Sequence, residues 1–471
     1  MFGLGLLDLR FNPFSLRWSL ISVATFFLLW GTFFIEFQVA LLVGLLFAVN
    51  IIYWHFFGHR RFDRLGLLLW ANIAYWLISG MLVGAITPLD FLNMKLWNGD
   101  GRIIIGSIPF LMYTVVHVTH GQLKQAIRIM LWMGGSGMFL YALWVVFKFS
   151  WLAGAGHIDE FHAFLSSHTG AGTFFGCLST FTLLYGYERK KWGITLLGLA
   201  LVGPTYSSQS RESLVGLMAV IAWYLTIRNP KPRMIVVSLA VGSLLFVTMP
   251  SLMSQKTYER TYGLLTWDFI TSMERQAVGA IKSDWQTGDT NVETGSESLE
   301  EGDVTTLVRI QLWVYATKRI LASPLFGMGW GRFNDLNTDF INAPPYLSVG
   351  AAGGKKLSPE TAHNSYLHIG AESGLIGLAM YMALWGALYL RCQRAIRILA
   401  HLRELKAFFV AAQGMVVFIL ACALTGHAVG SPSVLIPTMT ILGVATAFLR
   451  GNVYRPEQVS LQAIPQGASG K

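Results

Sequence analysis

Apolar residues run along this chain in blocks of about 20, separated by short polar connections. A block of that length crosses a hydrocarbon core about 30 Å thick as a helix. Twelve are legible, near residues 18–35, 37–57, 65–87, 102–119, 128–150, 169–187, 193–207, 212–228, 234–249, 363–390, 407–427 and 432–449. The pattern predicts an all-α polytopic membrane protein of about 12 transmembrane helices. Residues 1–249 hold about nine spans, residues 363–450 hold three, and residues 451–471 form a tail. The segment before Trp18 carries Asp8, Arg10 and Arg17 without a small-residue cleavage site, so no removable signal peptide is expected.

Residues 250–362 interrupt this rhythm with one long connection, a length that marks functional or disordered loops. Residues 284–303 are polar, acidic and flexible in composition. Beyond them Leu307, Ile310, Leu312, Trp313, Tyr315, Ala316 and Ile320 make an apolar stripe that predicts a helix over 304–322. Pro324 stops it, and Gly327, Gly329 and Gly331 follow around Trp330. A one-striped helix outside the membrane is expected to pack over the bundle as a lid. No internal repeat is evident.

Composition agrees with burial in lipid. The chain is 54% hydrophobic and 13% charged, where soluble domains carry about 25% charged residues. Disorder, collagen and a disulfide scaffold are excluded on the same figures. Cys177, Cys392 and Cys422 have no paired spacing, so neither a metal site nor a redox motif is expected. Basic clusters recur at every second connection: His59 to Arg64, Lys124 to Arg128, Arg189 to Lys191, Arg228 to Arg233, and Arg391 to Lys406. With both termini, these segments hold 21 of the 35 Lys and Arg residues but five of the 25 acids. The positive-inside rule puts that face, and both termini, in the cytoplasm. The long loop then lies outside. The net charge of +10 is a topology signal and implies no nucleic-acid partner.

Charged groups at the outer ends of spans are informative because unpaired charge in lipid is costly. Arg211 follows the hydroxyl-rich turn Ser207, Ser208, Gln209, Ser210 and opens the next span. A guanidinium beside free helix-start N–H groups suits an oxyanion or phosphate; the alternatives are snorkelling to headgroups or pairing with Glu212. Arg309, on the lid helix, is either a site residue or a solvated helix charge. His363 heads the run Asn364, Ser365, Tyr366, Leu367, His368 and Ile369. On an ideal helix Gly370, Gly374 and Gly377 fall within about 40° of its face and Glu372 about 180° away. The glycine stripe would let a neighbouring span pack closely; Glu372 reads either as part of a site or as a satisfied contact with a neighbouring span. His363, at the membrane boundary, suits proton transfer.

Absent patterns narrow the chemistry. No GxxxxGK[ST], DxD, HExxH or GxSxG run is present. With candidate cations on the outer face, a membrane-borne donor such as a lipid diphosphate fits better than a nucleotide.

The stretch from His363 resembles the bacterial O-antigen ligase and O-antigen or exopolysaccharide polymerase superfamily. His363-Asn364, then Gly374 and Gly377, keep the hallmark spacing. Ser210-Arg211 resembles the family's Ser-Arg before a span. Arg309 to Trp313 with Pro324 to Gly331 resembles its periplasmic-loop signature. The likeness covers roughly residues 195–450 with motifs and the first half in layout alone. It implies a GT-C-like inner-membrane glycosyltransferase, metal-independent and inverting, without cofactor. Its donor would be an undecaprenyl-diphosphate-linked glycan. Its acceptor would be lipid A–core for a ligase, or a second lipid-linked glycan for a polymerase. Carried over, Arg211 and Arg309 would grip the diphosphate and His363 would orient or deprotonate the acceptor hydroxyl. Asn364, Ser207, Ser208, Ser210, Tyr366 and Trp330 would support them.

The hallmark at His363 favours a ligase, whereas Thr361-Ala362 replaces the His-Pro-type lead of many ligases, and the extended loop and Trp330 cluster resemble exopolysaccharide polymerases. A secondary transporter shares the twelve-span layout, but would place its unusual groups near the bilayer midplane.

Overall fold

The computed structural model describes residues 9–11, 16–18, 20–31, 63–84, 86–87, 101–154, 157–165, 167–228, 301–333 and 361–452. Spans predicted at 37–57 and 234–249, most of the acidic insert and the tail from 453 onward lie outside these residues. The described residues are mostly helical. The exceptions are two short antiparallel hairpins, β1 (Leu9–Phe11) with β2 (Leu16–Trp18) and β3 (Ala153–Gly154) with β4 (His157–Phe161).

Helix α1 (Leu20–Phe26) continues into a π-helical turn, and α2 (Arg64–Leu82) starts at Asp63, whose carboxylate accepts the Leu65 N–H at 2.8 Å. Next come α3 (Gly101–Thr114), α4 (His120–Phe147) and α5 (His168–Arg189). The seventh expected span is divided at Leu201 into α6 (Trp192–Ala200) and α7 (Val202–Ser207). Helix α8 (Arg211–Arg228) opens at Arg211 as expected. Helix α9 (Glu301–Ala322) precedes α10 (Ser365–Ile398), α11 (Arg403–Cys422) and α12 (Pro432–Asn452). Among the described residues, five helices are long and apolar enough to cross a membrane: α2, α4, α10, α11 and α12. Helix α3 is apolar but 14 residues long. Helix α5 is diluted by hydroxyls that turn inward, as with Thr173 and Ser179, both fully buried; Ser179 Oγ donates to Gly198 O at 2.7 Å.

Three expectations need correction. Helix α4 begins at His120, so Lys124 and Arg128 lie on its first turns and not in a connection. A capping box fixes that start: Gln122 N donates to Thr119 Oγ1 and Thr119 N to Gln122 Oε1. Arg391 to Arg397 likewise sit on α10, which runs to Ile398. Finally, residues 301–303 of the acidic insert belong to α9.

Helix α11 forms the centre, packed by α5, α8 and α10, with Phe408, Phe409 and Phe418 fully buried. Helix α12 lies against α3 and α5. The basic segments gather at one end of this bundle and are tied by acids there. Lys406 pairs with Glu188 at 2.9 Å, Lys124 with Glu404 at 3.5 Å, and Arg391 with Asp63 at 2.8 Å. The starts of α5, α8, α10 and α12 and the end of α11 collect at the other end, where the candidate residues lie.

Candidate functional site

The loop after α11, residues 423–430, is the meeting point. A polar break between two apolar helices leaves its carbonyls in need of donors, and distant elements supply them. Ser365 N donates to Ala423 O at 2.9 Å, Asn364 Nδ2 to Leu424 O at 2.9 Å, and Ser365 Oγ to Gly426 O at 3.1 Å. Arg309 Nη1 reaches Thr425 O at 3.4 Å. Cys422 Sγ donates to Glu212 O at 3.2 Å. One loop therefore binds the start of α10, the cation of α9 and the first turn of α8.

His363 stands just outside α10, with φ of 48°. That left-handed conformation is uncommon for a side-chain-bearing residue, though His is among those enriched there. Asn364 is the N-cap, its Oδ1 accepting from Tyr366 N and Leu367 N, both at 3.0 Å. Tyr366 OH donates to Leu420 O at 2.6 Å. His363 is thus set between a cap and a docked turn.

The serine turn before Arg211 is occupied with itself. Ser208 Oγ donates to Thr205 O at 2.7 Å and Ser213 Oγ to Ser210 Oγ at 2.6 Å; Ser208 and Ser210 are buried. Ser207 Oγ shares a 2.8 Å hydrogen bond with Tyr141 OH. These hydroxyls hold the turn that presents Arg211, which is half-buried. The pairing of Arg211 with Glu212 does not form. Glu212 takes a hydrogen bond from the Thr169 side chain, and the cation acting on it is Arg309.

The glycine segment after α9 docks elsewhere on α10. Helix α10 is interrupted at Gly374, with φ 68° and ψ −176°, and the interruption frees carbonyls. Met328 N donates to Ala371 O at 2.8 Å and Gly329 N to Glu372 O at 2.9 Å, while Leu375 N donates to Pro324 O at 2.7 Å. Glu372 Oε1 accepts from Gly331 N at 3.1 Å and Phe333 N at 3.0 Å. The projection of an unbroken glycine stripe therefore fails at Gly374. Gly370 faces Ile320 of α9, Gly374 lies against the Leu325 carbonyl, and Gly377 approaches Tyr75 of α2. Among the described residues, Glu372 is a satisfied contact made with the glycine segment. Trp330 is 2% exposed, so its ring has a packing role here. The stripe of α9 packs as expected, with Leu312, Tyr315 and Ala316 buried against Ala371 and Phe333.

The two docking regions touch through buried rings. His368 packs edge-on against Phe333 at 4.9 Å and against His427 at 4.6 Å, and its Nε2 lies 3.7 Å from Glu372 Oε2. Arg309, His363, Asn364, Tyr366 and the first turn of α8 thus share one region; Trp330, Gly370, Gly374 and Gly377 build its support. Sequence reading missed Thr425, Gly426 and His427. Their signal was a polar break at the end of an otherwise apolar run. Among the described residues, no group of three or more His, Cys, Asp or Glu side chains could hold a metal ion.

No curated protein matches the chain. Residues 195–382, which include Arg211, Arg309, His363 and the glycine segment, match the family model described as O-Antigen ligase. Through that segment the chain is similar to the O-antigen ligase family.

Proposed function

We propose that this protein is a GT-C-like glycosyltransferase of the bacterial inner membrane, of the O-antigen ligase type, with both termini cytoplasmic and its site periplasmic. It transfers a glycan from an undecaprenyl-diphosphate carrier to a hydroxyl of lipid A–core. The observation that carries the reading is the meeting of Arg309, the Arg211 turn and the His363 cap on residues 423–426. Arg309 makes one hydrogen bond among the described residues, leaving most of its five N–H donors for a ligand.

In this reading the acceptor oxygen attacks the anomeric carbon from the face opposite the carrier, and the bond to the diphosphate breaks. The bonding electron pair leaves with the diphosphate, where Arg309 and Arg211 stabilise the growing charge. His363 orients the hydroxyl or takes its proton. Asn364 and Tyr366 fix the His363 backbone, and Ser207, Ser208 and Ser210 fix that of Arg211. No step calls on a cofactor or on nucleic acid.

A second reading is polymerase action on another lipid-linked glycan, favoured by the extended segment around Trp330. The test is transfer by the purified full chain in detergent, from a polyprenyl-diphosphate-linked glycan, with and without lipid A–core. Glycan attached to lipid A–core is the expected product. A ladder formed without that acceptor selects the polymerase, and no turnover by a folded sample with any such donor removes both.

A further inference from the structure

Glu212 has no part in the motif that identifies the family, yet the structure gives it an unusual setting. It is the second residue of α8 and 5% exposed. Among the described residues its Oε2 has no hydrogen-bond partner. The backbone of residue 426 is pressed onto the carboxylate, so closely that a Cβ added to Gly426 would lie 1.5 Å from Oε2. Thr169, from the first turn of α5, bonds the carboxylate from another side. The carboxylate is thus clamped among α5, α8 and the 423–430 loop.

Arg309 arrives on the neighbouring peptide unit. Its Nη1 donates to Thr425 O, one residue before the glycine that touches Glu212. Carboxylate and guanidinium are therefore held at adjacent units of one loop, close enough to interact but without a direct ion pair between them. Ionising a buried carboxylate is costly unless a cation compensates it, and Arg309 is the cation that acts on Glu212.

We propose that Glu212 is a positioning residue for Arg309: its clamped carboxylate seats the guanidinium of α9 at the mouth of the donor site, ready for a diphosphate. This rests on the functional reading above. It assigns Glu212 no contact with substrate; it acts through Arg309.

The test is a double-mutant cycle on the full-length protein in detergent, read as equilibrium binding of a polyprenyl-diphosphate-linked glycan. The set is the parent, Glu212→Gln, Arg309→Gln and the double variant. Glu212→Gln, which keeps size and removes the carboxylate, is expected to weaken donor binding about tenfold, within the range of coupling between contacting residues. The same change is expected to do nothing further once Arg309 is Gln. Gly426→Ala, which displaces the carboxylate without altering it, should reproduce the loss, and Glu212→Asp should restore part of it. In turnover, Glu212→Gln should raise the donor KM more than it lowers kcat. Additive losses in the cycle would mean that Glu212 acts structurally and not through Arg309, which overturns the proposal. Tighter donor binding in Glu212→Gln also overturns it, because the carboxylate would then be a competitor for the diphosphate site. A parent that turns over while Glu212→Gln equals it removes this inference alone. A parent with no turnover and no donor binding removes the functional reading with it.

Discussion

Glu372 shows how much one buried carboxylate can organise. Its Oε1 accepts the N–H groups of Gly331 and Phe333, and its own carbonyl accepts that of Gly329. Replacing it by Ala strands two backbone donors, each costing about 1–3 kcal/mol when left buried and unpaired. Gln keeps an oxygen in the same place. Thermal unfolding in detergent should therefore show Glu372→Ala destabilised by at least about 2 kcal/mol and Glu372→Gln by less than half as much. Equal losses would mean that charge, through His368, matters more than the two N–H contacts. Sequence reading singled out Glu372, as a site residue or a satisfied contact, but not its partners. Its partners are backbone amides of a segment some forty residues earlier, which leave no side-chain signal. Glu212 was legible only as a neighbour of Arg211, and that adjacency pointed to the wrong cation: the residue that compensates Glu212 comes from α9.

At the scale of elements, the informative feature is the break in α10. Spacing of His363, Gly374 and Gly377 marked this stretch correctly as special, but an unbroken helix was the wrong way to project it. At Gly374 the backbone takes a conformation essentially reserved for glycine, and an added Cβ would sit 2.2 Å from the Leu325 carbonyl oxygen. The helix opens there to receive the segment that follows α9. Gly374→Ala is expected to undo that docking at a cost above about 3 kcal/mol, counting backbone strain and the clash. Limited proteolysis between α9 and α10 should then speed up while cleavage elsewhere in the bundle does not. Unchanged cleavage would mean the break is not what seats the segment. The amphipathic stripe of α9 was readable because Leu312, Tyr315 and Ala316 keep helical spacing. The start of α4 was misread because a capping box lay upstream of the basic residues taken for a loop.

The whole molecule has two unlike ends. One is laced by ion pairs such as Lys406–Glu188 and Arg391–Asp63. The other is built from helix starts, hydroxyls and the 423–430 loop, with Arg309 and His363 set on it. The separation was foreshadowed by the clustering of basic residues in the sequence, although Lys124, Arg128 and Arg391 to Arg397 lie on helices and not in connections. The way α8, α9 and α10 meet was not, because the residues that join them are small or contribute only carbonyls. The account makes Arg309 the link between α9, within the long connection, and the helical bundle. Transfer from a polyprenyl-diphosphate-linked glycan by the purified chain, parent against Arg309→Ala at matched folding, tests that most directly. The predicted result is a loss of at least about a hundredfold, the scale of removing one donor to a developing oxyanion. An Arg309→Ala protein as active as the parent would contradict the account.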